Sequence, residues 1–229
     1  MTQQVSEVSP EDTAACAYRA GDFKTALGIW KDLAGKGNAD AAAWIGSCYA
    51  NGDGVEVDDT AALQWYERAA EQGNALAQAN TGAFYYMGRG TEKDLSKAVE
   101  WMRRGADGND LNALFNLAQL YAHGEGLEQD LTEAAALYRR AAELGHYPSQ
   151  SRLGYMYAHG EGVKKDRVQA YLWLTLAAQH GIGTALDALE AVVREMSSEE
   201  KAEGSGLFEQ WRIRTRSAEG PVALYPTPS

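Results

Sequence analysis

The tetrapeptide His-Gly-Glu-Gly occurs twice, at residues 123–126 and 159–162, and offers two imidazoles and two carboxylates 36 residues apart. On the loops of neighbouring packed helices, whose axes lie ~8–10 Å apart, such side chains could converge on a metal ion. The equivalent positions at earlier intervals hold Asn51 and Met87, and no spacing supplies a third nitrogen or sulfur ligand, so no metal is expected. The other reactive side chains are the two cysteines, Cys16 and Cys48. A nucleophile needs a base and an oxyanion donor held around it. No Ser-x-x-Lys or Cys/His arrangement is presented by the repeating segments, so no catalytic residue is assigned. The pairs Gly52/Gly54, Gly88/Gly90, Gly124/Gly126 and Gly160/Gly162 could suggest phosphate cradling. A dinucleotide loop needs a preceding strand and a third glycine at the helix start. Neither is present, and no cofactor is expected.

The elements that carry these residues repeat with them. At the same interval of 36, Asp22, Asp58, Asp94, Asp130 and Asp166 form one column, and Tyr49, Tyr85, Tyr121 and Tyr157 another. A period in this range signals stacked supersecondary units rather than one closed core. Apolar residues recur at three- and four-residue spacings with no strand-like alternation, so each unit reads as two helices. The Asp column suits the N-cap of the second helix, and Glu133 and Gln169, three residues after Asp130 and Asp166, complete capping boxes. The second helix ends at Gly37, Gly73, Asn109, Gly145 and Gly181, residues that enter the left-handed conformation readily. In the first helix, Gly46, Gly82 and Gly154 cost helix propensity, which predicts that a large side chain of the partner helix fills the space they leave.

With these residues in view the chain resembles the Sel1-like repeats, relatives of the tetratricopeptide repeats. The family pattern Ala-x-x-x-Leu-Gly-x-x-Tyr-x-x-Gly-x-Gly-Val-x-x-Asp-x-x-x-Ala-x-x-Trp-Tyr-x-x-Ala-Ala-x-x-Gly is matched from Ala41 to Gly181 in four units. The resemblance implies an all-α, right-handed superhelical solenoid of helical hairpins. The expected divisions are a disordered tail at 1–9, a degenerate tetratricopeptide-like repeat at 10–37, Sel1-like repeats at 38–73, 74–109, 110–145 and 146–181, capping helices at 182–216 and a flexible tail at 217–229. Within the caps, Ser197 and Glu200 form a capping box that opens the last helix, which Gly204 and Gly206 weaken.

Residues 1–9 carry neither an apolar run nor a basic start, so no leader or membrane-spanning helix is expected. The location follows as cytoplasmic, or periplasmic if a leader has been removed, since many bacterial Sel1-like proteins are exported. A net charge of −11 argues against nucleic acid or an anionic membrane as partner. Arg68, Arg104 and Arg140, with Arg103 and Arg139 beside them, form a ladder on second helices, read as a solvated convex face with pairs such as Glu100 to Arg104. A docking strip for an acidic partner is the competing reading of the ladder. Cys16 and Cys48 read as reduced, buried thiols.

The resemblance also implies a function. Tetratricopeptide-like arrays line a concave groove with their first helices, and the positions expected to face inward vary here while the packing columns do not. These are Asn80, Asn116 and Arg152 in one column, Phe115 in the next, Gln119 and Tyr155 in a third, and Tyr86, Met87, His123 and His159 near the helix ends. The chain is therefore read as a monomeric, non-catalytic adaptor whose groove holds a peptide or helix of a protein partner. The alternative implied by the family is an enzyme acting on cell-wall-related compounds, a hydrolysis to which some cysteine-rich Sel1-like proteins have been linked. A clamp for a chain-terminal carboxylate is not supported, because Arg152 is the only Lys or Arg on the first helices of the four full repeats.

Overall fold

Helices form where the 36-residue register sets their caps. In a computed structural model describing residues 9–218, they are α1 (Pro10–Arg19), α2 (Phe23–Gly35), α3 (Ala39–Asn51), α4 (Asp59–Glu71), α5 (Ala75–Met87) and α6 (Leu95–Asp107), followed by α7 (Leu111–His123), α8 (Leu131–Glu143), α9 (Tyr147–His159), α10 (Arg167–Gln179), α11 (Gly183–Glu195) and α12 (Ser198–Ala218). No strand occurs among the described residues. The fold is all-α, built of helical hairpins, and forms two compact units, Met1–Ala113 and Leu114–Ser229. The tails expected at the termini fall on residues 1–8 and 219–229, outside the described residues, apart from Ser9, the N-cap of α1, and the last residues of α12.

The Asp column caps every even helix from α2 to α10. Asp58 accepts from the Ala61 N–H at 2.9 Å, Asp94 from Lys97 at 3.0 Å and Asp166 from Gln169 at 3.0 Å. Capping boxes at Asp130 and Asp166 do not close. The N–H of each cap residue donates instead to a first-helix carbonyl, Asp130 to Tyr121 at 3.0 Å and Asp166 to Tyr157 at 2.9 Å, so Glu133 and Gln169 have no donor to reach. The box at α12 does close, with Ser197 N–H to Glu200 at 2.7 Å and Glu200 N–H to Ser197 Oγ at 3.1 Å. Asp94→Ala removes the side-chain acceptor at the start of α6 and should cost roughly 0.5–2 kcal/mol. A circular-dichroism urea melt reads this, and an unmoved midpoint would contradict the cap's contribution.

The first helices carry a second cap column. Asn38, Asn74 and Asp110 accept from the N–H of Ala41, Ala77 and Ala113 at 2.8, 2.7 and 2.8 Å. The column continues to His146, which makes no side-chain cap bond to α9. Its Nδ1 lies 2.8 Å from Ser149 Oγ and its ring meets Phe115 edge-on at 5.2 Å. Burial holds the imidazole pKa below its ordinary 6.5. The neutral form is thus favoured on folding, so its stability is complete above pH 6.5 and falls as pH drops from there towards the folded-state pKa. His146→Asn should raise the unfolding midpoint by supplying a cap worth about 1 kcal/mol. The gain should widen below pH 6.5, because Asn does not titrate. Melts at neutral and mildly acidic pH check both points, and an equal or negative difference at the two would refute them.

Packing within three of the hairpins follows the missing side chains. A Cβ on Gly46 would stand 2.7 Å from the Tyr66 ring, one on Gly82 2.7 Å from Met102 Cγ, and one on Gly154 2.7 Å from Leu174 Cγ. Each glycine therefore admits a large side chain from its partner helix, and the core residues Ile45 and Leu153 are fully buried beside them. The second glycine of the loop serves another contact. A Cβ on Gly90 would reach to 2.3 Å of the Asp59 carbonyl oxygen, so the loop after α5 rests on the start of α4.

The last hairpin departs from the pattern. α12 lies along α10, its Gly204 beneath the Tyr171 ring and Trp211 edge-on to Trp173 at 4.9 Å. Gly204 is thus a packing position, and the helix runs unbroken through it and Gly206. On α11, Leu186 is 51% exposed, whereas its counterparts Ala42, Gln78, Leu114 and Gln150 are all buried.

Candidate functional site

Three members of the tyrosine column tie a first helix to the preceding second helix, Tyr49 on α3, Tyr85 on α5 and Tyr157 on α9. The Tyr85 hydroxyl donates to Glu67 at 2.6 Å, Arg139 donates to the Tyr157 hydroxyl, and the Lys31 ammonium lies over the Tyr49 ring. Lys31, Glu67 and Arg139 share a column of the register, so part of the arginine ladder is committed to repeat packing. Arg68 donates to the Ala34 carbonyl at 2.7 Å and stacks on Trp65, while Arg104 pairs with Glu100 and covers Trp101.

With those faces engaged, α9 presents its opposite side. Gly154 seats α9 close on α10 and Leu153 is buried there, so Arg152 and Tyr155 point away from the core and are exposed. One repeat later, their places on α11 are taken by Ala188 and Ala191. Large side chains on one wall and small ones on the other leave a cleft of about 770 Å3 between α9 and α11. Buried Leu174, Ala158 and Val192 form its floor, and Phe115 and Ile182 border it. Tyr155 is 44% exposed and stacks on His159 with ring centroids 4.0 Å apart.

Charge around the cleft is unevenly paired. Arg167 lies 3.4 Å from Glu195 and 3.5 Å from Glu200, and Lys165 is 3.9 Å from Glu195. Among the described residues Arg152 has no carboxylate within 4.0 Å. Its guanidinium acts on Tyr138, whose hydroxyl burial pushes up to about 12 while Arg152 pulls it down.

Of the residues expected to face a groove, Phe115, Arg152, Tyr155 and His159 come together at this cleft. Phe115 is half-buried and also packs on Tyr138 at 5.6 Å, so it serves core and cleft together. Asn116 and Gln119 are half-buried on α7 and His123 is exposed at its end, none of them lining the cleft. Asn80, Tyr86 and Met87 belong to the first unit. Asn80 and Tyr86 are half-buried there, Lys93 lies over the Tyr86 ring, and Met87 is 54% exposed. The α11 wall, with Asp187 and Glu195, had been assigned only a capping role. Carrying the register one interval beyond Arg152 and Tyr155 to Ala188 and Ala191 would have found it.

The reactive side chains are otherwise disposed. His123 and His159 each contact a carbonyl of their own last turn, Gln119 O at 2.8 Å and Tyr155 O at 2.9 Å. Among the described residues no three His, Cys, Asp or Glu side chains are grouped to hold a metal ion. Both cysteines are free. Cys48 is fully buried and its thiol is pushed up to about 12, first by burial and then by Asp53, which suppresses the nucleophilic thiolate. Cys16, expected to be buried, is exposed, with Arg19 at 3.3 Å. Among the described residues no helix is long and apolar enough to cross a membrane.

Capped helical hairpins repeated at a fixed interval, with a cleft between successive first helices, define an α/α repeat protein. The Sel1 repeat matches residues 39–74, 75–110, 111–146 and 148–182, and the chain belongs to the Sel1 repeat family. It is similar to c5321, a protective antigen of uropathogenic Escherichia coli strains displaying an SLR fold, at 28% identity and a TM-score of 0.76 over 94% of this chain and 50% of that one. It is also similar to a Sel1 repeat protein from Oxalobacter formigenes, at 34% identity and a TM-score of 0.69 over 73% of this chain and 49% of that one. The chain thus spans about half the length of these two relatives. The immunity protein Pa5087 of Pseudomonas aeruginosa shares the fold, with 17% identity and a TM-score of 0.53 over 97% of this chain and 92% of that one. No curated protein matches the chain.

Proposed function

We propose that the chain is a non-catalytic interaction module and that the α9–α11 cleft holds a segment of a partner protein. The observation that carries this reading is the exposure of Tyr155 and Arg152 side by side on a helix whose other face is buried, above a cleft of about 770 Å3. Tyr and Arg are the residue types that dominate binding energy when a partner covers them. A buried thiol with a raised pKa and loop imidazoles turned to their own helix give the enzymatic alternative no support. A monomer in the cytoplasm, or in the periplasm once a leader is removed, fits the same reading.

Affinity capture from the source cell, followed by mass spectrometry, tests it with wild type, Arg152→Ala and Tyr155→Ala. A protein held by wild type and lost from both variants, with unchanged melts, is the expected result. Retention of the same protein by both variants would exclude the cleft. Early unfolding of both would show that these side chains are core.

A further inference from the structure

Arg152 is chemically isolated in a cleft where the other cations are occupied. Lys165 and Arg167 are held by Glu195 and Glu200. Among the described residues Arg152 has no such partner, in a chain of net charge −11 where it is the single Lys or Arg on α3, α5, α7 and α9. A guanidinium is a planar fork of donors that matches one carboxylate with two parallel bonds. We propose that the occupant of the cleft is an extended acidic peptide, which sets one Asp or Glu side chain on Arg152 and an adjoining apolar side chain against Tyr155, Ala188 and Ala191. The inference rests on the reading of the cleft as a partner site.

The size of the cleft favours extended chain over helix. A space of about 770 Å3 takes only a short segment, and isolated helices shorter than about 12 residues are marginal in water. An extended segment advances ~3.3 Å per residue and places alternate side chains on opposite sides, one row towards the cleft. Charge sets the register. Asp187 stands on the α11 wall and repels a second acid, so the carboxylate belongs on the α9 side and the apolar side chain over the alanines. One uncompensated cation suits a single side-chain carboxylate. A chain terminus is disfavoured, because it would need further cations that the cleft has already paired.

Phage-displayed random dodecapeptides selected on the full chain provide the test, with Arg152→Gln and Ala191→Trp as variants. Both substitutions change exposed side chains. The expected result is enrichment of an Asp or Glu beside a large apolar residue. A synthetic copy of a selected peptide should lose tenfold or more in affinity on Arg152→Gln. Changing its acid to the amide should lose a similar factor with wild type and little more with the variant, and amidating its C-terminus should change nothing. Selection without an acid, affinity indifferent to Arg152→Gln, or loss on C-terminal amidation would overturn the acidic-peptide inference alone, provided Ala191→Trp still abolishes binding by filling the cleft. Binding indifferent to Ala191→Trp, or no peptide enriched on wild type over that variant, would overturn the functional reading and this inference with it.

Discussion

Gly162→Ala should cost about 3 kcal/mol, far more than a single methyl group usually does. Two terms add. Gly162 has φ +64°, a left-handed conformation that costs an L-residue roughly 1–2 kcal/mol. A Cβ there would also stand 2.0 Å from the Leu131 carbonyl oxygen, which is backbone at the start of α8 and cannot swing aside. Relieving such an overlap costs typically 1–3 kcal/mol. Gly145→Ala is the control, since its φ is +88° but nothing lies within 4 Å of the added carbon. It should show the conformational term only. Urea midpoints for the two variants separate the terms, and equal losses would mean that the loop after α9 does not rest on α8.

Two residues apart on α9, Leu153→Ala and Tyr155→Ala should behave as opposites. Leu153 is fully buried, and truncating such a leucine costs about 2–5 kcal/mol in lost contacts and residual cavity. Tyr155 is 44% exposed, and its truncation should leave the midpoint within about 0.5 kcal/mol. On the proposed function its effect should fall on binding, where losing a central hot spot costs about 2 kcal/mol, roughly a 30-fold weaker complex. Measuring urea melts and affinity for a selected peptide on both variants provides the check. A Tyr155→Ala protein that unfolds early and still binds would place Tyr155 in the core.

Local chemistry was the legible part. Helix starts at the Asp column, stops at the Gly and Asn column, and glycines that admit a partner's large side chain could all be read at a 36-residue step, because each depends on a few neighbouring residues or on one hairpin. Asn109 takes φ +59° as its column requires. The Asn38, Asn74, Asp110 column also lay in the same register, beside the helix stop. The capping boxes at Asp130 and Asp166 failed for a non-local reason: the carbonyls of Tyr121 and Tyr157, at the far side of the loop, had already taken the cap N–H groups.

By itself the sequence determined the repeat, its helices, their caps and the hairpin packing, since those rest on backbone conformation and short-range sterics that recur wherever the residues recur. Only the tertiary structure decided which varied positions line the cleft. Arg139 was drawn into packing by Tyr157, Phe115 was divided between core and cleft, and Cys16 was left exposed. Among the described residues Arg152 was left without a carboxylate while Lys165 and Arg167 found theirs. Exposure and charge pairing depend on what neighbouring helices bring within a few ångströms. α11, which lacks the family signature, supplies the small side chains that open the cleft.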